Sequence, residues 1–116
     1  MGAIADARTA LADALRTVPS IRVYTTPNAR VDPPGAVLSL PDLEFEAYCT
    51  EPTKATFSIA LVAKLNERAV DVLEELVLSA STAIEAVESA VVLTARIGAW
   101  DDQLPAYELE VEVALT

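Results

Sequence analysis

The chain has 116 residues, 53% of them hydrophobic and 22% charged, and its 18 acids outnumber its 8 bases to give a formal net charge of −10. This is the length of a single domain, with enough apolar material for a core of its own. The eight bases are scattered, which excludes the clustered Lys/Arg that grip phosphate backbones without regard to sequence.

The acidity is uneven. Residues 1–58 hold seven acids and five bases (net −2), and residues 59–116 hold eleven acids and three bases (net −8). Cys49 is the one cysteine, so no intrachain disulfide can form, which suits a reducing compartment. Apolar stretches are broken by charge well short of the roughly 20 residues a membrane span needs. The first sixteen residues carry Asp6 and Asp13 and lack a basic start followed by an apolar block. No signal peptide is therefore expected, and the chain is expected in the cytoplasm when made.

In chain order, Ala3 to Thr17 is predicted to be a helix. Ile4, Ala7, Leu11, Ala14, Leu15 and Val18 recur at the spacing of one apolar face, on an alanine-rich background. Val18-Pro19 ends it, because a residue before proline is pushed out of the α region. Ile21 to Tyr24 reads as a short strand. Thr25 to Gly35, with Pro27, Asn28, Asp32, Pro33 and Pro34, reads as irregular. Ala36 to Leu40 resumes as a strand and stops at Pro41. Leu43, Phe45 and Ala47 then alternate with Asp42, Glu44 and Glu46, the period of a half-buried strand. Cys49 to Thr53 is a turn.

Ala55 to Lys64 has Phe57, Ile59, Leu61 and Ala63 facing one way and Thr56, Ser58 and Ala60 the other. A long helix follows to about Glu88, with Asn66 as its expected cap and Glu67 and Asp71 at its positive end. Val70, Leu73, Val77, Ala80, Ile84 and Val87 form its stripe, widened by Val72, Leu76 and Ala83. So wide a stripe suits a helix lying across a sheet. Val91 to Ile97 and Tyr107 to Leu115 are the last two strands, joined by a tip from Gly98 to Pro105. In the final strand Tyr107, Leu109, Val111, Val113 and Leu115 alternate with Glu108, Glu110 and Glu112. This order is not the βα alternation of a parallel sheet. It predicts one α+β domain over residues 1–116, a mainly antiparallel sheet with an N-terminal helix and one long helix packed on one face.

Chemistry finds few footholds. There is no histidine, which removes the commonest general base and the commonest metal ligand. Cys49 lacks an activating partner and reads as a small, partly buried thiol. The glycines, Gly2, Gly35 and Gly98, are isolated, so no phosphate-cradling loop exists. The remaining candidates are carboxylates: Asp42, Glu44 and Glu46 on one strand, Glu108, Glu110 and Glu112 on another. Such groups could hold calcium or magnesium, or pair to hydrolyse glycosides. Acids two apart on a regular strand diverge, however, so a solvated or channel-facing surface is the expectation. Asp101-Asp102 reads as turn chemistry. Trp100 either packs back over the sheet edge or anchors another subunit. Leu78, on the polar side of the long helix, is either a lone exposed leucine or part of an interface. The expectation is a protein without catalytic, cofactor-binding or metal-binding residues.

The N-terminal helix, Val23-Tyr24, the loop with Pro27 and Pro33-Pro34, Ala36-Val37-Leu38, the Phe57–Ala63 strand, the long helix and the closing Pro105-Ala106-Tyr107 to Val113 strand together resemble the tail-terminator, or tail-completion, proteins of long-tailed bacteriophages. The resemblance spans nearly the whole chain. It implies a structural virion protein forming a hexameric ring that caps the tail tube, halts its growth and joins it to the head-side connector. Its implied partners are further copies of itself, the tail tube protein and a head-side neck protein, with DNA passing through the bore without specific binding and no membrane involved. It implies a place at the tail–head junction of the virion, and in the host cytoplasm during assembly. On this reading Arg30, Leu78 and Trp100 are candidate interface residues and Glu108, Glu110 and Glu112 are candidate bore-facing residues. The loop from Thr25 to Gly35 is expected to become ordered only against a neighbouring subunit or the tube. A head-side stopper or adaptor is the near alternative, and a small homo-oligomeric ferredoxin-like binding module the more distant one.

Overall fold

The alanine-rich N-terminal segment forms α1 (Ala3–Arg16) in a computed structural model of the chain, which describes residues 2–19, 21–26, 30–47, 50–100 and 104–115. The helix ends where expected: the Thr17 hydroxyl and N–H both donate to the Ala14 carbonyl, and Val18 turns inward ahead of Pro19. Three strands follow, β1 (Arg22–Tyr24), β2 (Gly35–Leu38) and the short β3 (Asp42–Glu44), then the long β4 (Lys54–Val62). The second helix, α2 (Ala69–Glu85), leads into a hairpin of two eleven-residue strands, β5 (Ala90–Trp100) and β6 (Leu104–Ala114). This is an α+β domain with a six-stranded, mostly antiparallel sheet. Its order of elements differs from the βαββαβ order of a ferredoxin-like module.

The sheet runs β1-β2-β4-β6-β5, with β3 pairing with the lower part of β4 beside β2. Every pairing is antiparallel except β1 with β2. Both helices lie on one face, α1 over β1 and β2 and α2 over β4, β6 and β5. The alternation in β4 and β6 explains why. Phe57, Ile59, Leu61, Leu109 and Val111 are completely buried beneath the helices, and Leu11, Leu15, Ala80 and Ile84 come down to meet them. Among the described residues no polar or charged side chain is buried, so the core holds the helices by apolar burial and close packing alone.

The long helix is shorter than its sequence suggests. Asn66 does not cap it directly: its Oδ1 accepts the Arg68 N–H at 2.9 Å in a turn that precedes the helix, and Arg68 occupies the cap position. Leu73, Leu76, Ala80 and Ile84 are buried, with Val72, Val77, Ala83 and Val87 at their flanks. Val70, assigned to the stripe on spacing, is 63% exposed. At about 100° per residue it lies roughly 80° from the centre of the buried arc, and it sits in the first turn. The chain re-enters the sheet through Ser89, whose φ of 70° reverses its direction; the Ser89 carbonyl accepts the Ala114 N–H.

Two further expectations are corrected. Residues 43–47 do not form a half-buried strand. Pairing stops at Glu44, all of β3 is exposed, and Leu43 and Phe45 remain open to solvent because neither helix extends over them. The closing hairpin is also longer than its turn signals implied. Gly98, Ala99 and Trp100 pair with Ala106, Pro105 and Leu104, so the tip shrinks to residues 101–103, where Asp101 and Asp102 lie outside the described residues, as does Cys49. The hairpin overhangs the helices and stretches the molecule to 51 × 26 × 23 Å.

The segment between β1 and β2 has partners inside the chain over its second half. The Asp32 N–H donates to the Tyr24 hydroxyl at 3.0 Å, and the Asp32 carboxylate stands 3.2 Å from the Arg22 guanidinium. These contacts hold the described part of the segment, residues 30–34, back over Gly35. A Cβ added at Gly35 would meet Tyr24 Cε2 and Val31 Cγ1 at 3.1 Å and the Arg22 carbonyl at 3.3 Å. Gly35→Ala is accordingly expected to destabilise the fold by about 1–3 kcal/mol through overpacking, read as a lower urea midpoint with an unchanged slope.

Candidate functional site

The face of the sheet that carries no helix is built from the alternate residues of the same strands. Register places Asp42 beside Thr56 and Thr56 beside Glu112. It likewise sets Ser58 beside Glu110, and Ala60 between Val37 and Glu108. The two acidic rows, which the sequence presents as separate features some sixty positions apart, therefore share one face. Between them runs the β4 row Lys54, Thr56, Ser58 and Ala60, whose side chains are mostly short. On the far side β5 adds Thr94 beside Glu110 and Arg96 beside Glu108.

The face is acidic but not uniformly so. Lys54 Nζ lies 3.8 Å from Glu112 Oε1, and the Thr94 hydroxyl donates to Glu110 Oε2 at 3.4 Å. Glu108 is exposed, while Glu110 and Glu112 are half-buried against their neighbours. Successive acids on β6 stand about 6.5–7 Å apart along the strand, too far for one ion to bridge the row. Among the described residues no group of three or more carboxylates or thiols is arranged to hold a metal ion.

Trp100 is not in a loop. It ends β5 and is half-buried on this same face, lining an open groove of about 310 Å³ with Val37, Ser39, Ser58, Ala60 and Glu108. Ser39 closes one side, its N–H and Oγ both donating to the Ser58 carbonyl. The groove offers one carboxylate, one aromatic ring and the two serines Ser39 and Ser58.

Compared with known proteins, the chain matches no family model and no curated protein. The residues assigned to interfaces are not brought together. Leu78 is 70% exposed on the outer side of α2, in the helical layer. Trp100 is on the opposite face, and Arg30 is an exposed residue of the β1–β2 connection at the other edge of the sheet. Glu108, Glu110 and Glu112 do form one row on one face, as their spacing predicts. Sequence alone did not show that Asp42 and Glu44 lie on the same face as this row, that the bases Lys54 and Arg96 are set among them, or that apolar side chains are left open along β3 and β5. Those edge residues are Leu40, Leu43 and Phe45 near β3 and Val91, Leu93 and Ile97 on β5. Strand register carries all three features, and register is a non-local property.

Proposed function

We propose that the chain is a structural subunit of a ring that caps the tail tube of a long-tailed bacteriophage, halts its growth and joins it to the head-side connector. Its partners on this reading are further copies of itself in a hexamer, the tube protein and a neck protein, and its place is the tail–head junction, reached from the host cytoplasm. It has no catalytic role. The observation that carries the reading is the helix-free face, where β3 and β6 bring Asp42, Glu44, Glu108, Glu110 and Glu112 together on a rigid sheet. A wall of this sign repels phosphate, so DNA could pass it without adhering. The overhanging hairpin adds an extended surface for contact with other subunits.

Electron microscopy of polymerising tail tubes tests this. Adding the purified chain is expected to arrest growth and leave ring-shaped density at one end of each tube. Tubes that grow on without bound density would reject the proposal. Binding only on the head side of an already capped tail would assign the chain to the neck.

A further inference from the structure

Of the sheet's three edge strands, β1, β3 and β5, the last two are opposite in character, and the geometry points to a head-to-tail contact in which β5 of one copy continues the sheet of the next copy at β3. This interface rests on the ring reading above, since a rotational ring needs two different, complementary patches on each subunit. Among the described residues the outer sides of β3 and β5 have no partner strand. β5 presents eleven residues of free strand, in which Val91, Leu93 and Ile97 are exposed and no acid occurs. Its one charged residue is Arg96. The segment around β3 is the converse: Leu40, Leu43 and Phe45 are exposed, and Asp42, Glu44 and Glu46 occur with no base. Open edges with apolar side chains are templates for strand addition; β5 carries no lysine or proline, and the one proline of the β3 segment, Pro41, precedes the paired residues Asp42–Glu44.

Strand direction and facing agree with this pairing at once. β3 runs antiparallel to β4, β4 to β6 and β6 to β5, so β5 and β3 point opposite ways. A rotation that carries one sheet into the next therefore makes the junction antiparallel. Leu43 and Ile97 both lie on the helix-bearing side, through Ala55 and Val113 for one and Tyr107 and Leu61 for the other. Set opposite each other, they join two apolar side chains that are 41% and 75% exposed in the single chain. The same register sets Glu44 opposite Arg96 on the helix-free side, so a single alignment satisfies both faces. Ala55 and Leu61, which mark the levels of Leu43 and Ile97 on β4, are six residues apart in sequence. The junction is thus staggered by about 20 Å, the kind of shear with which tilted strands close. The occupant of each edge is a second copy of this chain.

Cysteine crosslinking of the full chain tests it. In a Cys49→Ser background, Leu43→Cys and Ile97→Cys together, treated with a short bismaleimide at high protein concentration, should give a ladder from dimer towards hexamer. A mixture of the two single variants should stop at dimer, and each single variant alone should give nothing. Arg96→Glu should abolish the ladder, and adding Glu44→Arg should restore it. Circular dichroism confirms that the variants fold; both cysteines replace exposed side chains. Failure of the double variant to crosslink, or a dimer from Ile97→Cys alone, would overturn the interface. The two readings fail separately. Rings at tube ends without this crosslink remove the interface and leave the terminator proposal standing. A ladder from a chain that caps no tube does the reverse.

Discussion

Phe57→Ala is expected to cost about 3–5 kcal/mol of folding stability, a large share of the roughly 5–15 kcal/mol that holds a domain of this size. Phe57 is the largest completely buried side chain among the described residues, on the central part of β4, with β6 beside it at Val111. It belongs to the cluster in which Leu11 and Leu15 of α1 and Ile84 of α2 meet the sheet. Truncation leaves a cavity in a region hemmed in by two helices and paired strands, where little collapse can refill it. Ser58→Ala, the next residue on the same strand, points to the helix-free face and is expected to change stability by less than about 0.5 kcal/mol. Urea unfolding of the two variants measures the contrast. Similar losses at both positions would mean that the sheet is covered on both sides, contrary to the one-layer arrangement described above.

That contrast was legible in the sequence because alternation is a local property. Phe57, Ile59 and Leu61, and then Leu109, Val111 and Val113, announce both the strands and their inward faces, and all six are buried. Alternation does not say whether anything covers the apolar side. Leu43, Phe45 and Ala47 have the same period, yet neither helix extends over them and they stay exposed. Turn signals misled in a related way at the hairpin. Gly98 and Pro105 look like punctuation, but Pro105 lies past the end of β4, where its missing N–H breaks no bond to that strand. It can therefore sit near the start of β6. The site was half legible. The row Glu108, Glu110 and Glu112 follows from spacing, whereas its company with Asp42 and Glu44 depends on β4 pairing with both strands at Thr56. No local pattern contains that pairing. The charge opposition between the β3 and β5 edges was hidden for the same reason, since nothing in the chain order marks which strands end a sheet.

Reversing the acidic row should change how the protein meets DNA far more than how it folds. Replacing Glu108, Glu110 and Glu112 with glutamine is expected to leave the fold intact and the melting temperature within a few degrees. The three acids lie on an open face, and the Lys54–Glu112 pair that is lost has a long 3.8 Å separation and partial exposure, worth under about 1 kcal/mol. Easing the repulsion among neighbouring acids offsets part of even that. Replacing the three with lysine places new cations beside Lys54 and Arg96 on one face, and duplex DNA should then be retained at low salt. Each phosphate neutralised adds about −0.9 to the slope of log affinity against log salt, so three lysines per subunit should give a slope of about −2 to −3. The unaltered chain should show no retention at any salt. Calcium or magnesium should leave its melting temperature unchanged, because an ion held by the native row would raise it through linkage. Gel-shift titrations across salt and a thermal scan with and without the cations supply the measurements. DNA retention by the unaltered chain would exclude a repelling wall. A cation-dependent rise in melting temperature would make the row an ion site. In tails assembled with each variant, the glutamine form should pass DNA normally and the lysine form should hold it back. If both pass DNA equally well, the row faces away from the bore and the acids only solvate the outside of the ring.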